Sequence, residues 1–413
     1  MRRIVLLLAL AMVFGDLRSA LARREVLRAT ESQCLRLGGR VRVAEIKLNG
    51  QPGSPKAQKR FDKQARKYAT RCVHLNEIQV LGSHNSYHIR PLEPLWSALL
   101  SFLPIFYQID YTHIPLDQQF ETQGVRQIEL DVFYDPLGGH YGTRKVLPLL
   151  GDDGMAPPIM FEPGMKVFHV QEVDFESTCL TLVDCLRTIR SWSADNPRHL
   201  PIAVLIEAKD DAIIDPANLG FVVPLPFDGA AFDALDAEIR SVFPPRKLIT
   251  PDDIRGTHAT LEEAVLTDGW PTLRESRGKV MFLLDNEGKQ SIYTAGHPNL
   301  EGRVLFTNAN PGDPDAAFIK RNDPFDAGIP SLVADGYLVR TRADADTVES
   351  RTNNTAPRDA ALASSAQYVS TDYPVPNLDF SPYFVEIPGG QVARCNPENA
   401  PVACDDAALE VLQ

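Results

Sequence analysis

From Leu75 onward the chain alternates short apolar runs with longer stretches whose apolar residues recur three and four apart. The runs are "EIQVLGSH", "VRQIELDVF", "MKVFHV", "PIAVLIEAK", "RKLIT", "GKVMFLLD", "RVLFTN", "GYLVRTRAD" and "AQYVSTDYP". Their length and their Val, Ile, Leu and Phe content predict strands. The stretches "TLVDCLRTIRSWSADNP" and "DGAAFDALDAEIRSVFP" predict amphipathic helices. Strands alternating with helices pair in parallel, because each crossover helix returns the chain to run in the same direction. Nine runs lie close to the eight of a closed parallel α/β barrel, with "RKLIT" the weakest of them. Residues 23–74 are basic and interrupted by "NGQPGSPKAQ", which predicts a loosely packed N-terminal segment with a helix around Pro55–Tyr68. Residues 376–413 are Pro-rich, hold a Cys pair and read as a tethered C-terminal extension.

The C-terminal ends of the runs collect ionisable side chains. "VLGSHN" ends in His84 and Asn85, "QIELDVF" carries Glu129 and Asp131, and "KVFHV" carries His169. "VLIEAKDD" carries Glu207 and Lys209, "YLVRTRAD" Arg340 and Arg342, and "VSTDYP" Asp372 and Tyr373. A core strand has no packing reason to end this way repeatedly, whereas a parallel barrel builds its active site at that end. Side chains alternate along a strand, so Glu129 and Asp131 share one face while Ile128, Leu130 and Val132 share the other. Positions i and i+2 lie about 7 Å apart, near enough for both carboxylates to reach one ion. Glu207 and Lys209 repeat this spacing.

Three inward carboxylates with Asn85 make an all-oxygen set of formal charge −3. That set suits a hard cation of flexible coordination, Ca2+; Mg2+ is the alternative, though usually held by fewer protein carboxylates, and zinc would bring imidazoles. Salt bridges to arginine are the alternative partner for each carboxylate. His84 and His169 end two different runs and suit general base and general acid, since imidazole titrates near neutrality. Lys209 and Arg340 suit phosphate oxygens, one as a point charge and the other as a planar fork. His88, His113 and His140 read as histidines satisfied within loops.

The formal net charge is −12; residues 1–22 hold Arg2, Arg3, Arg18 and Asp16, a net of +2, which leaves about −14 beyond them. An acidic body argues against nucleic acid as a partner. It also means that a phosphate-bearing substrate needs a local positive centre. Arg2 and Arg3 precede the apolar run Ile4–Phe14, and "SALA" ends at Ala22, the pattern of a signal peptide over residues 1–22. No later segment offers roughly 18 consecutive apolar residues, so a soluble, secreted protein is expected. Six cysteines fit an oxidising compartment. Proximity suggests Cys179–Cys185 and Cys395–Cys404, which leaves Cys34 with Cys72.

In this order, "GSHNSYH", "QIELDVF", "FHV" and "LIEAKDD" resemble the catalytic motifs of the calcium-dependent phosphatidylinositol-specific phospholipases C, in their secreted bacterial form. The resemblance runs from about residue 75 to 375. It implies a TIM-type (β/α)8 barrel that cleaves phosphatidylinositol to diacylglycerol and an inositol phosphate. By motif, His84 and His169 resemble the catalytic histidines; Asn85, Glu129, Asp131 and Glu207 the calcium ligands; and Lys209 the lysine that meets the substrate phosphate. "LVRTRAD" and "STDYP" match less closely, and offer Arg340 and Tyr373 as contacts to the inositol or its phosphate.

One departure is the long stretch "YDPLGGHYGTRKVLPLLGDDGMAPPIMFEPGMK" between the second and third motifs. It holds His140, so the choice of His169 rests on the strand-like "KVFHV". The implied partner is phosphatidylinositol in a membrane, touched peripherally and transiently by a monomer. "PLWSALLSFLPIFY", residues 94–107, is a lid, a membrane-touching rim or a buried helix. The competing readings are a glycerophosphodiester phosphodiesterase or sphingomyelinase-D-like barrel, and a secreted calcium- or lipid-binding barrel without catalysis.

Overall fold

The structure is a computed structural model that describes residues 29–410; the expected signal peptide lies outside the described residues. Residues 29–49 form a helix, α1, and Pro55–Cys72 a second, α2. Ser54 caps α2 by accepting from the Ala57 N–H, and Pro55 opens it, where a missing N–H costs nothing. The Cys34–Cys72 disulfide ties the two helices together. The N-terminal segment is therefore a regular helical hairpin, not one helix in loose chain. "RLGGRV" hid α1 because paired glycines weaken a helical pattern. Gly38 lets α1 lie close to α2: a Cβ there would stand in van der Waals contact with the Tyr68 ring at 3.4 Å.

Eleven strands follow among the described residues: β1 (Ile78–Ser83), β2 (Gln127–Phe133), β3 (Lys166–Val167), β4 (Ile202–Lys209), β5 (Leu248–Ile249), β6 (Val280–Leu284), β7 (Leu305–Thr307), β8 (Phe318–Lys320), β9 (Leu338–Arg342), β10 (Tyr368–Thr371) and β11 (Ala393–Cys395). Parallel pairing runs β7–β6–β4–β2–β1–β10–β9–β8, and a parallel bridge from Asn308 to Phe318 joins the two ends of this series. Eight strands thus curl into the expected barrel. Helices α3 (Leu95–Phe102) and α4 (Leu116–Thr122) lie in the β1–β2 connection, α5 (Leu182–Asp195) follows β3, and α6 (Gly229–Val242) follows β4. The outward residues Ile128, Leu130 and Val132 are fully buried in the main core with Leu186 and Ile189 of α5.

Three expectations change. "MKVFHV" is not a stave of the barrel: β3 is a two-residue spur antiparallel to β2, and His169 sits two residues beyond it. "RKLIT" supplies only β5, which pairs with the first residues of β6 while β7 pairs with the later ones. The eighth stave, β8, came from no predicted run, because three residues after Ala316 and Ala317 are too short to show a period.

The C-terminal extension is woven into the barrel's base rather than merely tethered. β11 pairs antiparallel with β1, and Glu410 forms an ion pair with Arg126, which is fully buried. The disulfides Cys179–Cys185 and Cys395–Cys404 form as proximity suggested. The long stretch after β2 packs Tyr141 and Met160 on Leu95 and Leu99 of α3, a second small core beside the strand ends. Among the described residues, no helix is long and apolar enough to cross a membrane.

Candidate active site

β1 ends in a turn that brings "HNSY" onto β2. The Ser86 N–H donates to the Glu129 carbonyl at 2.9 Å, and the Glu129 N–H donates to the Ser86 hydroxyl at 2.8 Å. Asn85 takes a left-handed backbone with φ 42°, a conformation asparagine tolerates better than most residues. The turn breaks strand alternation, so His84 and Asn85 are free of the rule that sends neighbours to opposite faces.

β2 and β4 supply the carboxylates. Their register sets Asp131 beside Glu207 and Phe133 beside Lys209, so these side chains share a face. Oxygens of Glu129, Asp131 and Glu207 lie within 4.8 Å of one another. Lys209 Nζ bridges the outer two, 3.3 Å from Asp131 and 3.2 Å from Glu207. Arg340 reaches Glu129 at 2.7 Å from the opposite wall and is itself buried. Burial pushes the Asp131 carboxyl well above its usual range; Lys209 opposes this, and Glu207 and Glu129 add to it. Burial raises Glu129 to about 7 against the pull of Arg340, with Asp285 and Glu207 reinforcing it. Lys209 is pushed the other way: burial disfavours its charge, but Asp131 and Glu207 outweigh that and raise its pKa.

The donor set fits the expected cation. Asp131 Oδ1 and Asn85 Oδ1 are buried without a hydrogen-bond partner among the described residues, Asp131 Oδ2 has the Lys209 ammonium at 3.3 Å, and Asn85 Nδ2 donates to Tyr111 at 3.0 Å. Orphaned buried oxygens are costly, and hard oxygen donors crowded this closely suit Ca2+. Asn85, Glu129, Asp131 and Glu207 are the residues that would hold it.

The histidines stand in two dyads that sequence reasoning did not assemble. His84 Nδ1 donates to Asp372 at 2.7 Å, and its Nε2 faces Glu129 at 3.8 Å. Burial, then Arg342, lowers the His84 pKa to about 3 despite the Asp372 charge, so the ring is neutral at neutral pH. His169 Nδ1 donates to Asp174 at 2.7 Å. His88 Nε2 shares the same carboxylate at 2.9 Å. Burial resists ionisation of Asp174, yet His88 and His169 hold its pKa down at about 2. Tyr111 packs on His88 with ring centres 4.4 Å apart and planes tilted by 35°, and lies 6.4 Å from His84, so it links the two dyads.

Asp372 was visible as a polar strand end but had no assigned partner. Asp174 gave no signal, since it sits in a loop without periodicity. His113 Nε2 donates to the His84 carbonyl at 2.9 Å, and His140 Nε2 donates to the Val223 carbonyl at 2.8 Å. Tyr373 is buried against Phe380 and Tyr383 of the C-terminal extension. Arg340 also donates to Ser370 at 3.2 Å, so its guanidinium is engaged on several sides.

Residues 73–397 match the family of phosphoinositide phospholipases C that depend on Ca2+. No curated protein gives a significant match. Among solved structures, the chain is similar to a calcium-dependent phosphoinositol-specific phospholipase C from a Gram-negative bacterium, Pseudomonas sp, at 18% identity over 79% of this chain and 96% of that one, with TM-score 0.47. The Ca2+-dependent phosphatidylinositol-specific phospholipase C of Streptomyces antibioticus is 18% identical over 73% of this chain and 96% of its own, with TM-score 0.44. The phosphatidylinositol-specific phospholipase C from Listeria monocytogenes is 14% identical over 77% of this chain and 92% of its own, with TM-score 0.41. These likenesses carry no residue-level correspondence. The family match covers most of the chain and agrees with a barrel whose oxygen cluster suits calcium: this chain belongs to the calcium-dependent phosphoinositide phospholipase C family, a family of phosphodiesterases.

Proposed function

We propose that the protein cleaves phosphatidylinositol to diacylglycerol and an inositol phosphate by attack of the inositol 2-hydroxyl on phosphorus. The observation that carries this reading is a His84–Asp372 dyad beside the carboxylate cluster, joined through Tyr111 and His88 to a second dyad, His169–Asp174. His84, neutral and aimed at the cluster through Nε2, accepts the 2-hydroxyl proton, while Asp372 fixes its tautomer and stabilises the imidazolium that forms. The new O–P bond forms as the bond from phosphorus to the diacylglycerol oxygen breaks. His169, held through Nδ1 by Asp174, donates a proton from Nε2 to that leaving oxygen. Lys209 and Arg340 supply positive charge beside the phosphate in an otherwise acidic chain. Calcium bound at the cluster supplies Lewis acidity, lowering the hydroxyl's pKa and neutralising phosphate oxygens.

The enzyme meets its substrate at a membrane, as a monomer in transient contact. Support comes from the loops after the strand ends, which expose Phe102, Leu103, Ile105, Leu149, Phe161 and Leu378 around the mouth. Residues 94–107 divide between two of the expected roles: Leu95, Trp96 and Leu99 are buried, whereas Phe102, Leu103 and Ile105 face solvent. Three disulfides suit an extracytoplasmic protein, delivered by a signal peptide over residues 1–22.

The test is turnover of phosphatidylinositol vesicles with calcium or with excess chelator, following diacylglycerol and the water-soluble product. Calcium-dependent release of inositol phosphate is expected. His84→Ala and His169→Ala should each lose on the order of 10²-fold or more in kcat, and His140→Ala little. Full activity in chelator, or a phosphatidic acid product, refutes the reading.

A further inference from the structure

The net charge conceals a division within the chain. Residues 29–74 hold eleven Lys and Arg against Glu31, Glu45 and Asp62, a net of +8, whereas residues 75–410 hold 25 against 49, a net of −24. Ten of the eleven cations are exposed, and none of those ten forms an ion pair among the described residues. A protein that needed only solubility would have no reason to gather these exposed cations on one helical hairpin while the barrel is acidic.

Two details say what meets this surface. Arg36 and Arg40 of α1 and Arg60 of α2 line one cleft of about 400 Å3, and guanidinium forks suit phosphate oxygens. Second, α1 carries an outward apolar stripe: Leu35, Val43 and Ile46 are 72%, 49% and 63% exposed. At about 100° per residue these three lie within about 80° of arc, with Arg42 on one flank and Arg36 and Lys47 on the other. The opposite face, Leu37, Val41 and Ala44, is already buried in the fold. An apolar stripe edged by cations is the pattern of a helix lying in a lipid interface. A soluble polyanion has no use for the stripe.

We propose that the α1–α2 hairpin docks on a bilayer surface rich in anionic phospholipid, its cations meeting headgroup phosphates and its apolar stripe entering the interface. The hairpin sits at the N-terminal ends of the strands: Val73 accepts from the Leu273 N–H ahead of β6, and β1 starts five residues later. The catalytic mouth opens at the other end. An enzyme docked by the hairpin therefore turns its mouth away from the membrane that holds it, toward an opposed one.

The test uses the full chain without its signal peptide, in chelator, with vesicles of phosphatidylcholine with or without phosphatidylglycerol and no inositol lipid. Binding should rise with phosphatidylglycerol and be lost in high salt. Arg36→Gln, Arg40→Gln and Arg60→Gln together should weaken it on the order of 10²-fold, with circular dichroism and turnover of a soluble inositol phosphodiester unchanged. Leu35→Ser with Ile46→Ser should weaken vesicle binding but not capture of inorganic polyphosphate. Equal binding to both vesicles, or parental binding by the triple variant, overturns the proposal. So does vesicle binding indifferent to the Leu35 and Ile46 changes alongside tight polyphosphate capture, which would assign the surface to a soluble polyanion.

Discussion

Asp131→Asn should separate a metal ligand from a structural ion-pair partner, because the two roles give opposite changes in stability. Glu129 and Glu207 each approach Asp131 within 4.8 Å, so at an effective dielectric of about 20 each repels its charge by about 3.5 kcal/mol or more. Lys209 at 3.3 Å returns about 5 kcal/mol. About 2 kcal/mol of repulsion remains before desolvation, so the metal-free variant should be at least as stable as the parent, by up to about 2 kcal/mol. For a chain this long the unfolding entropy is about 0.8 kcal/mol per degree, which makes that gain about 2–3 °C in Tm. Calcium at 100 times its Kd should add about 2.7 kcal/mol, or about 3 °C, to the parent. The variant should show little of that shift. The assay is thermal unfolding at pH 8, above the Glu129 pKa of about 7, in calcium and in chelator. A variant with lower metal-free Tm and an undiminished calcium shift would refute the ligand assignment and leave Asp131 as the counter-ion of Lys209.

Asp174→Asn should lower kcat on the order of 10²-fold while leaving the calcium-induced Tm shift intact, because it removes the acceptor that fixes His169 Nδ1; unchanged kcat would remove His169 from the chemistry. Phe102→Ser with Ile105→Ser should weaken binding to substrate vesicles with Tm nearly unchanged, whereas Trp96→Ser, at a buried ring beneath Arg90, should lower Tm; the reverse pattern would make the exposed end structural. His199 is buried, which lowers its pKa to about 4, so the unfolded chain takes up a proton between about pH 6.5 and 4 that the folded chain refuses. Its contribution to stability is therefore lost as pH falls through that window, and His199→Gln should flatten the fall in Tm; an unchanged slope places the acid sensitivity elsewhere.

Periodicity alone placed seven staves of the barrel, together with α5 and α6, because a strand buried on both faces must be a continuous apolar run and a covering helix must show its stripe. The strand-end carboxylates were equally legible: alternation puts Glu129 with Asp131 and Glu207 with Lys209 whatever lies around them. What the sequence left open depended on contacts between distant residues. The Asp131–Glu207 pairing is a register between strands, which no local pattern encodes. Asp372 meets His84 across 288 residues, and Asp174 became a partner only when the chain after β3 folded back beside "HNSYH". Composition likewise showed residues 23–74 to be basic, but not that residues 29–72 among them fold into one hairpin with an outward apolar stripe. Local sequence determines which face a side chain takes, and only the closed barrel decides what stands opposite it.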